Sequence, residues 1–314
     1  MICLKAHAKI NWTLDILGTR EDGYHLMDML MQSVDMHDTL WLEESDNLSL
    51  ESADAPVETN GNALDSMASG AVTYDQSNLV YRAAKKLREK YNVSAGARMR
   101  LQKRIPSGAG MGGGSADAAA ALMGLNELWK LGLSLDELRS IGVTLGADIP
   151  FMLTGGLARV GGIGEEITSL SPAPEVHLVM LQPCGGLSTK EVFGAFDALD
   201  GRSLTRPRTE LAQAALLTGD LVSLGFAMDN VLEAVSVPVR PAIREAAQEL
   251  ERTGAIRGMM TGSGSVVYGV FPSASAAAGA RDALAPIAAA NGWGDVWVTQ
   301  TVTKRNCIPA QNLL

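Results

Sequence analysis

Polar and apolar residues alternate from the start of the chain. In residues 2–18, Lys5, His7, Lys9, Asn11 and Thr13 share one parity. That period of two predicts a β-strand with one polar face. Such a face either meets solvent or lines a cleft. Gly18 closes the strand, Arg20–Gly23 is a turn, and Tyr24 and His25 follow directly. Leu26–Glu43 reads as a short apolar helix or strand, with a strand over Asp38–Glu43. The period then changes: Val80, Ala83, Ala84 and Leu87 recur at helical spacing, predicting a helix over Leu79–Tyr91. Ala97, Met99 and Leu101 alternate with Arg98, Arg100 and Gln102, a second half-buried strand. Its basic residues through Arg104 read as a solvated face, with one lysine near a bound nucleotide. Ala116–Leu125 is rich in helix formers with no breaker until Gly124. Ser134–Glu137 has capping-box spacing and opens a helix that stops near Gly146.

Beyond that point, Gly155-Gly156 and Gly161-Gly162 punctuate two short strands, and Pro172 and Pro174 mark a natural boundary. Val176–Leu181 is a strand, and Ser188–Glu191 is a further capping box that opens a helix. Pro241–Thr253 is a helix with proline in its first turn and Gly254 after it. The strand Val266–Phe271, a small-residue helix over Ser273–Ala290 and the strand Asp295–Val302 complete the series. Strands and helices interleaved in this way predict an α+β second domain of ferredoxin-like type. Residues 52–76 shift to Ala, Asp, Ser, Gly and Asn and read as a surface insertion without an assigned role.

Between the basic strand and the alanine-rich helix lies PSGAGMGGGSADAAAAL, Pro106–Leu122, with glycine at 108, 110, 112, 113 and 114. Glycines permit positive φ and let an anion approach main-chain N–H groups. The following helix aims free N–H groups and a partial positive charge at the same point. The stretch is built to hold phosphate. Gly108, Gly110 and Gly113 satisfy the dinucleotide spacing, but the strand before them is basic. The acids at the expected distance, Asp136 and Glu137, sit in a capping box. No lysine follows the glycines, so the Walker pattern fails. A phosphate loop of a third kind remains, with the Ser115 hydroxyl where it meets a phosphate or its Mg²⁺.

At 314 residues the chain is long enough for two domains, each with a core. Hydrophobic residues at 46% and charged residues at 19% describe an ordinary globular protein. The net charge of −9 argues against nucleic acid as a partner. Cys3, Cys184 and Cys307 show no paired spacing, so neither a disulfide framework nor a metal site is expected. No signal peptide or membrane span is visible, and a cytoplasmic monomer or homodimer is expected.

Taken together, the motifs resemble those of the GHMP small-molecule kinases. Pro106, Ser107, Gly108, Ala109, Gly110, Met111, Gly112, Gly113, Gly114, Ser115 and Ala116 resemble their ATP-binding motif. Met260–Gly264 resembles their C-terminal glycine motif, and Lys5–Asn11 their N-terminal one. Leu17–His25, Gln32–Asp35, Gly146–Phe151 and Gly162–Glu165 are similar to the branch whose substrate is a small alcohol carrying a cytidine diphosphate group. The resemblance spans about the whole chain. It implies the two-domain GHMP kinase fold, of α+β class. An N-terminal ribosomal-protein-S5-like ATP-binding domain over residues 1–160 would face a C-terminal ferredoxin-like substrate domain over 161–314.

The resemblance also implies roles. Asp148 matches the family's catalytic base and Lys9 its catalytic lysine; on spacing alone, Asp148 would brace the turn before Pro150. ATP would bind the loop 106–116 with Mg²⁺ held mainly through the phosphates and no dedicated protein metal site. Tyr24 would stack on cytosine, His25 would hydrogen-bond its edge, and Phe193 would supply a second aromatic face. The main chain near Ile163 would complete base recognition. Asn11, Thr189, Gly262 and Ser263 complete the expected substrate contacts. Three features depart from the family pattern: Ala116 replaces a frequent second serine, Gly161 a frequent acid, and segment 52–76 is long. Two other readings fit the glycine motifs: a kinase for homoserine or a sugar, and a nucleotide-binding regulator without turnover. The aromatic residues argue against the first, Lys9 and Asp148 against the second.

Overall fold

A computed structural model describes residues 1–54, 72–199 and 204–302. Cys307 and most of the 52–76 insertion lie outside the described residues. The first sheet is built on a long antiparallel pair, β1 (Ile2–Thr19) and β2 (His25–Ser45). Residues 27 and 29–34 are buried without alternation. A run covered on both faces has no period of two, which is why the sequence leaves helix and strand open there. The length of β2 also lets its two halves pair with different strands. Met29–Gln32 pairs with β5 (Leu157–Gly161), and Thr39–Ser45 with β4 (Gly96–Gln102). β3 (Leu48–Ser52) adds parallel to β4, and β6 (Glu166–Ser169) pairs with β5. The residue 160/161 boundary thus falls within a hairpin whose two strands share the first sheet. The chain changes sheets over residues 170–176, where Pro172 and Pro174 stand.

On the first sheet, helices α1 (Leu79–Lys90) and α2 (Gly113–Leu128) pack against each other, α2 lying on β1 and β2. Gly124 does not end α2. A Cβ there would sit 2.3 Å from Leu42 Cδ1 and 2.5 Å from Leu4 Cδ1, so glycine permits the close approach of helix to sheet. Helix α3 (Leu135–Gly142) carries the full Ser134–Glu137 capping box and ends four residues before Gly146, in successive turns. A short helix, α4 (Ile149–Thr154), follows with Pro150 in its first turn.

The second sheet runs β11 (Val296–Gln300), β7 (His177–Leu181), β10 (Val267–Phe271), β9 (Gly258–Met260), antiparallel throughout. Its spatial order relative to chain order is 4-1-3-2, the ferredoxin-like arrangement. Helix α5 (Thr189–Asp197) is capped by Ser188, which accepts from Glu191 N–H. Residues 205–239, for which the hydrophobic pattern predicts no element, form four. These are α6 (Thr209–Thr218), α7 (Leu221–Ala227), the two-residue β8 (Asp229–Asn230) parallel to β1, and α8 (Glu233–Val239). Helices α9 (Ala242–Arg252) and α10 (Ala274–Asn291) flank the second sheet.

The two sheets join through a buried aromatic pair. Trp12 of β1 meets Tyr268 of β10 edge-on at 5.7 Å, and the Tyr268 hydroxyl donates to the Asn11 carbonyl at 2.7 Å. Such an edge-to-face pair contributes on the order of 1 kcal/mol beyond its burial. Among the described residues, no helix is long and apolar enough to cross a membrane.

Candidate active site

The polar face of β1 does not meet solvent where it matters. Lys9 is 4% exposed, and Asn11 and Thr13 are fully buried. The solvent-exposed reading of this face therefore fails at these three residues: the two glycine loops close over Lys9, Thr261 meets Asn11, and Thr209 of α6 meets Thr13. Lys9 Nζ donates to Asn11 Oδ1 at 2.7 Å. Burial lowers the Lys9 pKa, and the charge of Asp148 works in the opposite direction. A buried ammonium without a facing carboxylate is costly, so Asp148 is the group that keeps Lys9 charged.

The phosphate loop docks directly on this strand, since Lys9 N–H donates to the Met111 carbonyl at 3.1 Å. Gly108, Gly110 and Gly112 all take positive φ, and Gly112 is the left-handed N-cap of α2. Helix α2 thus begins with the N–H groups of Gly113, Gly114 and Ser115 ahead of its first intrahelical bond, an anion-binding arrangement. A Cβ on Gly112 would sit 2.3 Å from Met152 Cε and 3.5 Å from both Asp148 Oδ2 and Lys9 Cγ. Gly262 closes from the other side, where an added Cβ would be 2.6 Å from the Gly110 carbonyl and 3.1 Å from Lys9 Nζ. Both glycine loops therefore converge on the Lys9 ammonium. Only residues without side chains permit that approach.

Asp148 stands at the N-cap of α4 but makes no side-chain cap hydrogen bond. The turn-bracing role fails on that observation. Among the described residues, nothing donates a hydrogen bond to this half-buried carboxylate, which faces Lys9 across the cleft. The cleft holds about 1170 Å³ and brings together most of the expected site residues. Lys9, Asn11 and Asp148 lie at its floor with Pro106–Gly110, Gly112–Ser115, Gly262 and Ser263. Tyr24, His25, Ile163, Thr189 and Phe193 line its other end. Met111 and Ala116 are buried behind the loop instead. The departure from the family pattern at Ala116 therefore falls away from the cleft.

At the far end, His25 Nε2 donates to Asp197 Oδ1 at 2.7 Å, so that Nδ1 is an acceptor whenever the ring is neutral. The Phe193 ring lies 4.8 Å from the His25 ring. Tyr24 is 58% exposed at the rim. The Thr189 and Ser263 hydroxyls are hydrogen-bonded at 3.1 Å and link α5 to the second glycine loop. Ile163 N–H donates to Glu165 Oε2 at 2.6 Å, so this main-chain donor is already satisfied by a neighbouring side chain.

Two family models match the chain: the GHMP kinases N terminal domain over residues 78–156, and GHMP kinases C terminal over 212–289. The 4-diphosphocytidyl-2-C-methyl-D-erythritol kinase of Alkaliphilus oremlandii is 38% identical over 284 residues, 90% of this chain and 92% of its own. That of Pelotomaculum thermopropionicum is 41% identical over 277 residues, 86% of this chain and 89% of its own. The chain belongs to this kinase family. A solved structure of 4-(cytidine 5'-diphospho)-2C-methyl-D-erythritol kinase matches with a TM-score of 0.76 at 30% identity, covering 95% of this chain and 98% of that one. The homoserine kinase of Cytophaga hutchinsonii shares the fold, with a TM-score of 0.72 at 19% identity over 98% and 97% of the chains.

Several residues that support this GHMP kinase site carry no signal in the sequence pattern. Asn230 Nδ2 donates to the carbonyls of Met260 (3.0 Å) and Gly262 (2.8 Å), while its Oδ1 accepts from Leu232 N–H. Glu233 Oε1 accepts from Met260 N–H at 2.7 Å, and burial raises its pKa. Under the first turn of α2, Lys103 bridges two buried carboxylates, Asp38 and Asp117, the latter at 2.6 Å. Burial pushes Asp117 up to about 8, with Lys103 opposing and Asp38 adding to the shift. Lys103 is thus the lysine beside the loop, and it is only partly exposed, unlike Arg98, which pairs with Glu51 at the surface. No short motif marks these residues, because the partners that tie them to the site lie far along the chain.

Proposed function

We propose that this chain transfers the γ-phosphoryl group of ATP to the 2-hydroxyl of 4-diphosphocytidyl-2-C-methyl-D-erythritol, a step of the non-mevalonate (methylerythritol phosphate) route to isoprenoid precursors. One observation carries the proposal: both glycine loops meet over Lys9 beside the Asp148 carboxylate, in a cleft that ends at Tyr24, His25 and Phe193. The first turn of α2 binds the ATP phosphates. An alcohol is a weak nucleophile at neutral pH, and Asp148 takes its proton as the new O–P bond forms and the bond to the β-phosphate oxygen breaks. Lys9 stabilises charge on the phosphoryl oxygens.

The cytosine stacks on Tyr24, and His25 Nδ1 accepts from the exocyclic amino group, with Phe193 as the second aromatic face. The main chain near Ile163 completes base recognition, and Asn11, Thr189, Gly262 and Ser263 position the rest of the acceptor. Mg²⁺ would be held mainly through the phosphates, with the Ser115 hydroxyl among the hard oxygens that line the cleft beside them. Bound there, Mg²⁺ would neutralise charge on the β- and γ-phosphates. Dependence on ATP accords with a cytoplasmic enzyme.

The test supplies purified protein with ATP and Mg²⁺ and, in parallel, the cytidyl substrate, homoserine or galactose, with an Asp148→Ala control. Turnover confined to the cytidyl substrate and lost in the control is expected. Turnover on another alcohol alone would overturn the substrate assignment and leave the kinase chemistry standing.

A further inference from the structure

The second glycine loop, Thr261–Gly264, follows β9, and β9 is the edge of its sheet, paired with β10 alone. Met260, at the end of that strand, is fully buried, so its outward N–H and carbonyl need partners that no further strand supplies. Two side chains take the place of a strand. Glu233 Oε1 accepts from the Met260 N–H at 2.7 Å, and Asn230 Nδ2 donates to the Met260 carbonyl at 3.0 Å. Asn230 belongs to β8, which runs beside β1, and Glu233 opens the helix after it. The loop is thus hung from the other sheet.

A second bond from the same amide reaches further, since Asn230 Nδ2 also donates to the Gly262 carbonyl at 2.8 Å. Asn230 is buried behind the loop, whereas Gly262 and Ser263 line the cleft. The Gly262 carbonyl therefore points away from the cleft. A planar trans peptide carries its C=O and N–H on opposite sides, so the Ser263 N–H points into it. Among the described residues, neither the Gly262 N–H nor the Ser263 N–H has an acceptor. Gly262 takes a left-handed φ of +57°, and a Cβ on it would lie 3.1 Å from Lys9 Nζ. Successive N–H groups about a left-handed residue form an anion-binding concavity. This one opens beside the ammonium.

We propose that Asn230 is a positioning residue for phosphoryl transfer: by fixing the Gly262 carbonyl it aims the Ser263 N–H at the phosphoryl oxygens beside Lys9. This role rests on the kinase chemistry proposed for the cleft. A donor held in place before the reaction stabilises developing charge without reorganising. The amide is itself fixed, because Asn230 Oδ1 accepts from the Leu232 N–H at 3.1 Å. A flipped amide would set its oxygen against two carbonyls, so only one orientation satisfies all three bonds. At the near end of the loop, Thr261 Oγ1 accepts from the Asn11 N–H at 3.2 Å and anchors it to β1. Asn230 fixes the peptide that follows.

The test measures phosphoryl transfer on whichever alcohol the wild type accepts, so the substrate assignment does not enter. Asn230→Ala, normalised to folded protein, should lower kcat by about 10²-fold, the scale of a reacting group displaced by about 1 Å, with KM for ATP near wild type. Asn230→Asp keeps the size and the acceptor for the Leu232 N–H but lacks the donor; it should lose kcat likewise and serves if the alanine variant folds poorly. Val235→Ala, a buried position of α8 outside the cleft, is the destabilised control and should keep kcat. A merely structural Asn230 would move the melting temperature alone. Wild-type kcat in a folded Asn230 variant, or an equal loss of kcat in Val235→Ala, would overturn the proposal. A wild type that phosphorylates no alcohol is a different result: it overturns the kinase reading and this role with it.

Discussion

The two ends of the cleft solve different problems by opposite means. At the phosphate end, Lys9, Asn11 and the second glycine loop are buried and tied to one another by hydrogen bonds from β1, Asn230 and Tyr268. At the base end, Tyr24 stands largely in solvent on a turn, and His25 is held chiefly by the half-exposed Asp197. Charge developing in a transition state is best met by groups already fixed in a dry site, since they need no reorganisation. A base is met by stacking, which tolerates a mobile partner. On the proposed function, burial follows chemistry and recognition is left to the rim.

The largest effect should come from the floor. Asp148→Ala is expected to lower kcat by about 10²–10⁴-fold with little change in either KM, read from steady-state kinetics. A change confined to KM would remove Asp148 from the chemistry. Lys9→Met should cost about 10²–10³-fold in kcat, the scale of losing one fixed donor to developing charge. Because burial lowers the Lys9 pKa and the ammonium is the active form, kcat should fall as pH rises through a value below that of an ordinary lysine. A pH–rate profile flat through the ordinary lysine range would contradict this.

Asn230→Ala strips two donors from the second glycine loop and should destabilise the fold by about 1–3 kcal/mol in denaturant titrations. An unchanged midpoint would show that the loop holds itself. At the rim, Tyr24→Ala should raise KM for the cytidyl substrate by an amount equivalent to about 1–3 kcal/mol while sparing kcat. A loss of kcat instead would mean that the two ends are coupled. The smallest effect is expected from Asp197→Asn, whose pair with His25 is half-exposed. Its KM should rise by no more than the equivalent of about 1 kcal/mol.

Much of this architecture is legible in the chain itself. The glycine spacing, the flanking strand and the alanine-rich helix name a phosphate loop because each is a local backbone requirement. The capping box at Ser134 and the proline-led helix after Pro241 are equally local. The long β2 is not, since a run buried on both faces loses its period. Residues 205–239 are illegible for another reason: they are short helices whose partners lie in β1 and the second glycine loop. Asp148 shows the limit within one residue. Its place before Pro150 suits a turn brace, and only the position of Lys9, brought from the first strand, turns its carboxylate to the cleft.

By itself, then, the sequence determined what depends on neighbours in the chain: strand and helix periods, caps, and glycines that free the backbone to bind phosphate. The tertiary structure decided which charges meet. Lys9 with Asp148, Lys103 with Asp38 and Asp117, His25 with Asp197 and His7 with His37 are pairings over long separations. Electrostatic energy and burial depend on distance in space, and no spacing along the chain carries that distance.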